Sequence, residues 1–541
     1  MKQVTFTKGV KFESNTYYRA EVGRIDFYLS DTVRSYNPEY RSHTTGAGEY
    51  MDIAFLLCDL ENVVLDFGGA TLMFHGRIQP FMLDNCKNVT IKNLKLDYDR
   101  PFYTQASLIS CEENTMRVRL DEGFSCRVDT EHKGLIATSE TWENRMNAKD
   151  CLLWLYDPAD KQLHTIILAL FGDEIYPHEN PPLPIRQIFV EQDGEDILFH
   201  GSFPADWVGR KDRKLVITHE PRDKTAIQTV GGENITLSDI VIVHGSALAF
   251  IGMHTKDIFI DRFDICANYD GNGRIVANNA DGIHLFNCYG KVEIKNCTME
   301  GLLDDTVNVH GNFVAVTEVL SDGIMSDSRL AGLTSALKLF LAGDRIAVYR
   351  GHTREKLAEF TLTDAQTDIE SGRRVLRVAE PELLSVISEG DVIENLSANA
   401  DVLIENCVFR RFRGTMRMQT SGKIVIKGCR FENRGTSLMM TGDTTYWYES
   451  GPVDDITIED CYFAYALNWR IVTHTQVEYT EKAPYYHRGV KIKSCFFDGK
   501  FTCRLDHVDG VEFVGNKTSA DELIISLNAC NDCAVFDARE V

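Results

Sequence analysis

One motif recurs along this chain and leaves few folds open to it. It reads Ile, two residues, Cys, one residue, then Phe or Met, and it is carried by GKVEIKNCTMEG (290–301), ADVLIENCVFRR (400–411), SGKIVIKGCRFEN (421–433), DDITIEDCYFA (454–464) and RGVKIKSCFFDG (488–499). Its members are Ile294, Ile404, Ile426, Ile458 and Ile492; Cys297, Cys407, Cys429, Cys461 and Cys495; and Met299, Phe409, Phe431, Phe463 and Phe497. Looser copies are ENVVLDFGGATLMF (61–74), CKNVTIKNLKLD (86–97), ENITLSDIVIV (233–243), KDIFIDRFDIC (256–266) and DGVEFVGNKTS (509–519). Alternation of apolar and polar residues marks short strands with one buried face, and the odd Ile-to-Cys spacing requires a bend between two of them. Units of about 20 to 35 residues are too short for helical crossovers, so an all-β parallel solenoid is expected, its coils about 4.8 Å apart. The cysteines then form an internal ladder, with Asn or Asp in the turn before them.

Two stretches break the repeat. Residues 103–225 and 312–398 carry strands of another kind, such as NTMRVRLDEG, FVAVTEVL and RRVLRVAE, and are expected as inserted antiparallel β-barrel-like modules flanking a groove. The division is coils over 1–102, a module over 103–225, central coils with the site over 226–311, a second module over 312–398, and C-terminal coils over 399–541.

Charge narrows the partners. A net charge of −23 disfavours nucleic acid and anionic membrane surfaces and suits a neutral ligand. No apolar run approaches the roughly 20 residues that cross a bilayer. The start, MKQVTFTKGVKF, lacks the apolar core of a leader, so a cytoplasmic location is expected, or a secreted one with the leader removed. The 15 cysteines read as core rather than disulfides, and CNDC (530–533) as a turn rather than zinc ligands.

The chemistry concentrates in NNADGIHLFNCYGKVEIKNCTMEGLLDDTVNVHG (278–311). Asp281 and the pair Asp304, Asp305 lie about one coil apart, so a solenoid brings them to one face. A carboxyl pair about 6.5 to 9.5 Å apart leaves room for a water and suits inverting glycoside hydrolysis, with one acid kept protonated by its charged neighbours. His284, Asn308 and His310 would orient a sugar or hold the water. The same Asp and His residues could instead hold a metal, since spacing alone does not separate ligands from acids and bases.

ADGIHLFNCYGKVEIKNC followed by GLLDDTVNVHG resembles the signature region of the bacterial α-1,3-galactosidases of glycoside hydrolase family 110. FHGRIQPF (74–81), NCKNVTIKNLKLDYDRP (85–101) and DTTYWYESGPVDDITI (443–458) resemble other parts of that family. The resemblance implies a right-handed parallel β-helix, inversion, no cofactor and a galactose-terminated neutral oligosaccharide as substrate. It further implies Asp281 as general acid and the Asp304, Asp305 pair as source of the base. Trp447 would supply an apolar platform for a sugar ring, Glu449 a hydroxyl contact, and Arg417 and Gln419, alternating on one strand, further sugar contacts. A homo-oligomer stays open. A polygalacturonase-like hydrolase shares the order N-x-D-G, D-D, H-G, but a polyuronide needs cations near the acids, and Lys291 and Lys295 are the only basic residues over 278–311. A non-catalytic carbohydrate-binding solenoid is the reading from another class.

Overall fold

The computed structural model describes all residues except 38–49, 147–150, 173–184, 220–221, 328–338, 369–370, 445–446, 465–468 and 476, together with the side chains of Thr165 and Leu170. Strands from successive repeats stack in parallel, residue on residue. Ile260 pairs with Ile294, Ile294 with Ile404, Ile404 with Ile426, Ile426 with Ile458 and Ile458 with Ile492. Each repeat therefore contributes one coil. The aromatic rungs follow: Phe409, Phe431, Phe463 and Phe497 stack with ring centroids 5.1, 4.9 and 5.0 Å apart. Such contacts add about 1 kcal/mol per pair beyond burial. Cys297, Cys407, Cys429, Cys461 and Cys495 form the adjoining buried column.

The bend required by the odd spacing is a residue in the left-handed backbone region directly before each cysteine. Asn296, Asn406, Gly428, Asp460 and Ser494 have φ between 54° and 61°. Asn and Asp tolerate this conformation because their short polar side chains bond locally. A second turn is closed by an asparagine ladder, in which Asn62 donates to Asn15 at 2.9 Å, Asn88 to Asn62 at 3.0 Å and Asn234 to Asn88 at 2.7 Å.

A second parallel stack runs through Gln79–Asp84, Ile227–Val230, Phe250–Met253, Ile283–Phe286, Val307–Val319, Met416–Gln419 and Leu438–Gly442. Its alternation decides which side chains face outward. Ile283, Leu285, Val307, Val309, Met416 and Met418 belong to the solenoid core. Their neighbours His284, Phe286, Asn308, His310, Arg417 and Gln419 therefore sit on the opposite face, in register columns His284–Asn308–Arg417 and Phe286–His310–Gln419.

That outer face is covered by the second insert. Val307–Val319 leaves the stack after His310 and continues into a closed barrel with Gly323–Asp327, Arg374–Val378, Lys356–Thr367, Arg345–Tyr349 and Val392–Asn395, all paired antiparallel. The boundary expected at 311/312 falls inside this one strand. Met82, Ile251, Met253 and Phe286 of the solenoid face share a core cluster with Val314, Val316, Ile346 and Phe360 of the barrel.

The first insert is a closed seven-stranded barrel between Tyr103–Cys111 and Lys214–Thr218 with its own core around Phe199 and Trp207. It departs from the antiparallel expectation at one place. Gln162–Phe171 and Ile185–Asp193 pair in parallel, with Leu168 beside Ile185. Among the described residues, no helix is long and apolar enough to cross a membrane.

Candidate active site

The two stacked strands Ile283–Phe286 and Val307–Val319 start at equivalent points, each just after an acid. The register pairs Ile283 with Val307, and the Gly282 N–H donates to the Asp305 carbonyl at 2.9 Å. Two residues before that register, Asp281 thus stacks on Asp305, and Asp304 lies one position outward. On the next coil the equivalent position is Gly414, before Met416, which pairs with Val307. A Cβ there would come within 2.2 Å of Asp305 Oδ1 and 2.6 Å of its backbone nitrogen, so a side chain is excluded at Gly414 by the carboxyl it accommodates. One oxygen from each of Asp281, Asp304 and Asp305 lies within 4.8 Å of the others. These nearest oxygens are closer than the gap of about 6.5 to 9.5 Å anticipated for an inverting pair.

The three acids have different surroundings. Asp281 is buried, and its Oδ2 is 2.7 Å from His284 Nδ1. Burial pushes its carboxyl well above the usual range, and Asp304 and Glu449 add to the effect. Asp305 is also buried, and burial raises it too. It alone, however, receives the Thr415 N–H at 2.6 Å and an ion pair from Arg417 Nε at 2.7 Å, both of which favour the carboxylate. Asp304 keeps a side chain 34% exposed, with Arg222 Nη1 3.3 Å from its Oδ2.

Both histidines are buried and bonded to one another: His284 Nε2 and His310 Nε2 are 2.8 Å apart, and His310 Nδ1 donates to the Gly311 carbonyl at 2.7 Å. Burial holds both rings down to about 4, so they are neutral at neutral pH. Their nitrogens serve Asp281, each other and the backbone rather than facing an open groove.

Glu449 enters from a crossing strand, Glu449–Ser450, antiparallel to Gly311 and Asn312. It accepts from Gln419 Nε2 at 2.7 Å and from Asn308 Nδ2 at 3.4 Å, and Arg417 Nη1 is 3.9 Å away. Burial acts upward on its carboxyl, but His310, Arg417, the Gln419 amide and His284 outweigh it and hold it at about 2. Asn308 Oδ1 and Gln419 Oε1 are buried acceptors without a donor among the described residues. Trp447, just before Glu449, is 40% exposed, and its backbone N–H donates to Asp443.

Two cations correct the local reading of charge. Lys291 and Lys295 are the only basic residues in the motif, yet the fold delivers Arg417 to the acids from another coil and Arg222 from the segment before Ile227. Arg222 was not legible, since it lies 82 residues from Asp304 in an irregular segment. Gly414 and Thr415 had a signal that was available: DGIHLF, DTVNVH and GTMRMQ align position by position, with glycine where the other coils have the acid.

The acidic triad offers three oxygens that could hold a divalent cation, and Asp157, Asp160 and His164 on the first barrel offer two oxygens and a ring nitrogen. At the latter, Arg213 lies 2.7 Å from Asp157 and Arg434 3.2 Å from Asp160, so positive charge is already supplied.

Fold and site together define a parallel solenoid that gathers three carboxyls, one of them buried against a histidine pair, beside a covered polar strip. No family model matches the chain. Among curated proteins it is similar to alpha-1,3-galactosidase B of Bacteroides thetaiotaomicron, 26% identical over 481 residues that span 87% of this chain and 75% of the relative. Alpha-1,3-galactosidase A of Bacteroides fragilis is 27% identical over 445 residues, 81% and 67% of the two chains. Alpha-1,3-galactosidase A of Shewanella woodyi is 25% identical over 507 residues, 92% and 79%. Of solved structures, the family 28 exopolygalacturonase of Yersinia enterocolitica aligns over 96% of this chain and 80% of its own with a TM-score of 0.30 and 9% identity, too loose a match to bear on function.

Proposed function

We propose that this protein is a glycoside hydrolase that releases terminal α-1,3-linked galactose from neutral oligosaccharides, on a right-handed parallel β-helix of the family 110 kind and with inversion at the anomeric carbon. The observation that carries the reading is the juxtaposition of Asp281, Asp304 and Asp305 in one oxygen cluster, with Asp281 alone bonded to a neutral histidine. The names of the relatives support the substrate class.

Asp281 gives its proton to the glycosidic oxygen as the bond from that oxygen to the sugar breaks, and the electron pair stays on the departing oxygen. A water attacks the anomeric carbon, and its proton passes to the Asp304, Asp305 pair. Asp305, paired with Arg417 and bonded to the Thr415 N–H, is fixed in orientation, while Asp304 is the more open to water. Asn308 and Gln419 each offer an unpaired buried carbonyl oxygen, which a sugar hydroxyl satisfies. Glu449 holds both amides in place through their N–H groups. No cofactor takes part in this scheme. Inversion rests on the resemblance rather than on the oxygen spacing.

Arg222 and Arg417 beside the acids favour one second reading, a hydrolase for polyuronides, because arginine is what such a substrate needs. Both guanidinium groups are already engaged with aspartates, which argues for the neutral galactoside. Incubation with α-1,3-galactosides, α-1,4-galactosides and polygalacturonate separates the two: galactose release from the α-1,3 substrate alone supports the proposal, and cleavage of polygalacturonate alone overturns it.

A further inference from the structure

The column of positions that holds the acids runs on past them. The register pairs Val307 with Met416, Met416 with Leu438, Leu438 with Ile471 and Ile471 with Cys503, so the positions equivalent to Asp281 and Asp305 on the coils that follow are Gly414, Thr436, Trp469 and Phe501. On every coil the next residue is buried: Gly282, Thr306, Thr415, Ser437, Arg470 and Thr502. The column itself opens outward beyond the acids, with Gly414, Thr436 and Trp469 half-buried and Phe501 39% exposed. Two low residues come first, then two rings. Trp469 and Phe501 meet edge to face, their centroids 4.9 Å apart at 69°. Arg470 fixes the backbone beside Trp469: its N–H donates to the Thr502 carbonyl at 2.9 Å, its carbonyl accepts from the Ser437 and Leu438 N–H groups at 2.8 and 3.0 Å, and its buried guanidinium donates to the Asp498 carbonyl.

We propose that Trp469 and Phe501 form a distal sugar subsite, which binds the reducing-side units of an oligosaccharide whose terminal galactose lies at the acids. Trp469 is three coils from Asp305, about 14 Å at the interstrand spacing and so two or more pyranose rings away. That is beyond the galactose and its immediate neighbour. A pyranose presents an apolar face of C–H groups, and an aromatic ring covers that face while the hydroxyls at its rim stay in water. Lys500 Nζ, 5.0 Å from the Phe501 centroid, already takes one face of that ring, so the indole is the platform and Phe501 its buttress. Gly414 and Thr436 form the low floor between platform and acids. The first barrel supplies a wall: the Arg413 guanidinium carbon is 5.2 Å from the Trp154 ring centroid, and Arg434 Nη1 is 3.2 Å from Asp160 Oδ2.

The subsite rests on the hydrolase reading for the galactose that precedes it, and two measurements keep them apart. The first compares kcat/KM for a neutral disaccharide and a neutral tetrasaccharide that end in the same α-1,3-linked galactose. The unmodified protein is expected to favour the tetrasaccharide, and Trp469→Ala to cut that preference by about tenfold, with a smaller cut in Phe501→Ala. Both substrates meet the same preparation, so any unfolded fraction cancels in the ratio. Equal kcat/KM for the two lengths in the unmodified protein, or a preference that survives Trp469→Ala, overturns the subsite. A dimer that dissociates in Trp469→Ala while the preference stays assigns the rings to a second copy of the chain and overturns it equally. The second measurement follows the Trp469 indole N–H signal by NMR in Asp281→Asn. A shift with the tetrasaccharide and none with the disaccharide supports the subsite; an unmoved signal with both overturns it. The expected shift in a protein that cleaves no galactoside would instead remove the function and leave the subsite standing.

Discussion

Asp281 and Asp305 are stacked neighbours on consecutive coils, joined through the Gly282 N–H and the Asp305 carbonyl at 2.9 Å, yet one faces a neutral histidine and the other an arginine. The difference separates their variants. Asp281→Asn replaces a protonated carboxyl by an amide that still donates to His284, so the melting temperature should hold while turnover falls by about 10²- to 10⁴-fold. Asp305→Asn removes the charge that Arg417 pairs with and should cost about 1 to 3 kcal/mol of stability as well as turnover. Asp304→Asn, at a half-open position, should lose activity with little change in stability. Thermal melts of the three variants beside their rates check the order; equal destabilisation by all three would make the acids structural turn residues rather than catalytic ones.

Gly414 makes room for the Asp305 carboxyl. Gly414→Ala places a methyl 2.2 Å from Asp305 Oδ1 and 2.7 Å from the Asp304 carbonyl carbon, and both are held by stacked backbone. The variant should lose about 1 to 3 kcal/mol and most activity, whereas alanine at Gly435, where the nearest atom is Asn433 Nδ2 at 3.8 Å, should cost far less. Denaturant midpoints of the two variants decide it.

Acid should unfold the protein through its buried imidazoles. His284 and His310 are held down to about 4 and His487 to about 3 by burial, against 6.5 ordinarily. As pH falls below that ordinary value the unfolded chain takes up protons that the native state refuses, so their contribution is complete above about 6.5 and is lost on the way down through 4. Asp281 and Asp305, raised by burial, bind protons in the native state and flatten the same slope. Melting temperature against pH should fall steeply across that window, and less steeply in His487→Gln.

The cysteine column predicts a pattern of thiol reactivity. Cys58 and Cys533 are exposed, whereas Cys297, Cys407, Cys429, Cys461 and Cys495 are buried between coils. A thiol reagent under native conditions should modify the exposed pair first and the ladder only with global unfolding. Early modification of the ladder, mapped by mass spectrometry, would contradict the stacking.

The solenoid was legible because its signal is repeated. One Ile-x-x-Cys-x-Phe segment is ambiguous, but copies in series demand a shared environment, and the left-handed Asn296, Asn406 and Asp460 turned out to be the predicted bends. Asp281 and the doublet were legible as a cluster for the same reason. Which acid of the doublet stacks on Asp281 was not, because a single residue of register decides it. The contact between His284 and His310 was not legible either, since it depends on the register of two coils and on the barrel that covers the outer face. Arg222 and the parallel strand pair of the first barrel are contacts between segments distant in sequence, which local pattern does not encode.

The most direct measurement follows the sugar first released from an α-1,3-galactoside by NMR, in the unmodified protein and in Asp281→Asn. β-Galactose as first product, lost in the variant, is the predicted result. Release of the α-anomer first, or unimpaired release by the variant, would contradict the mechanism proposed for Asp281.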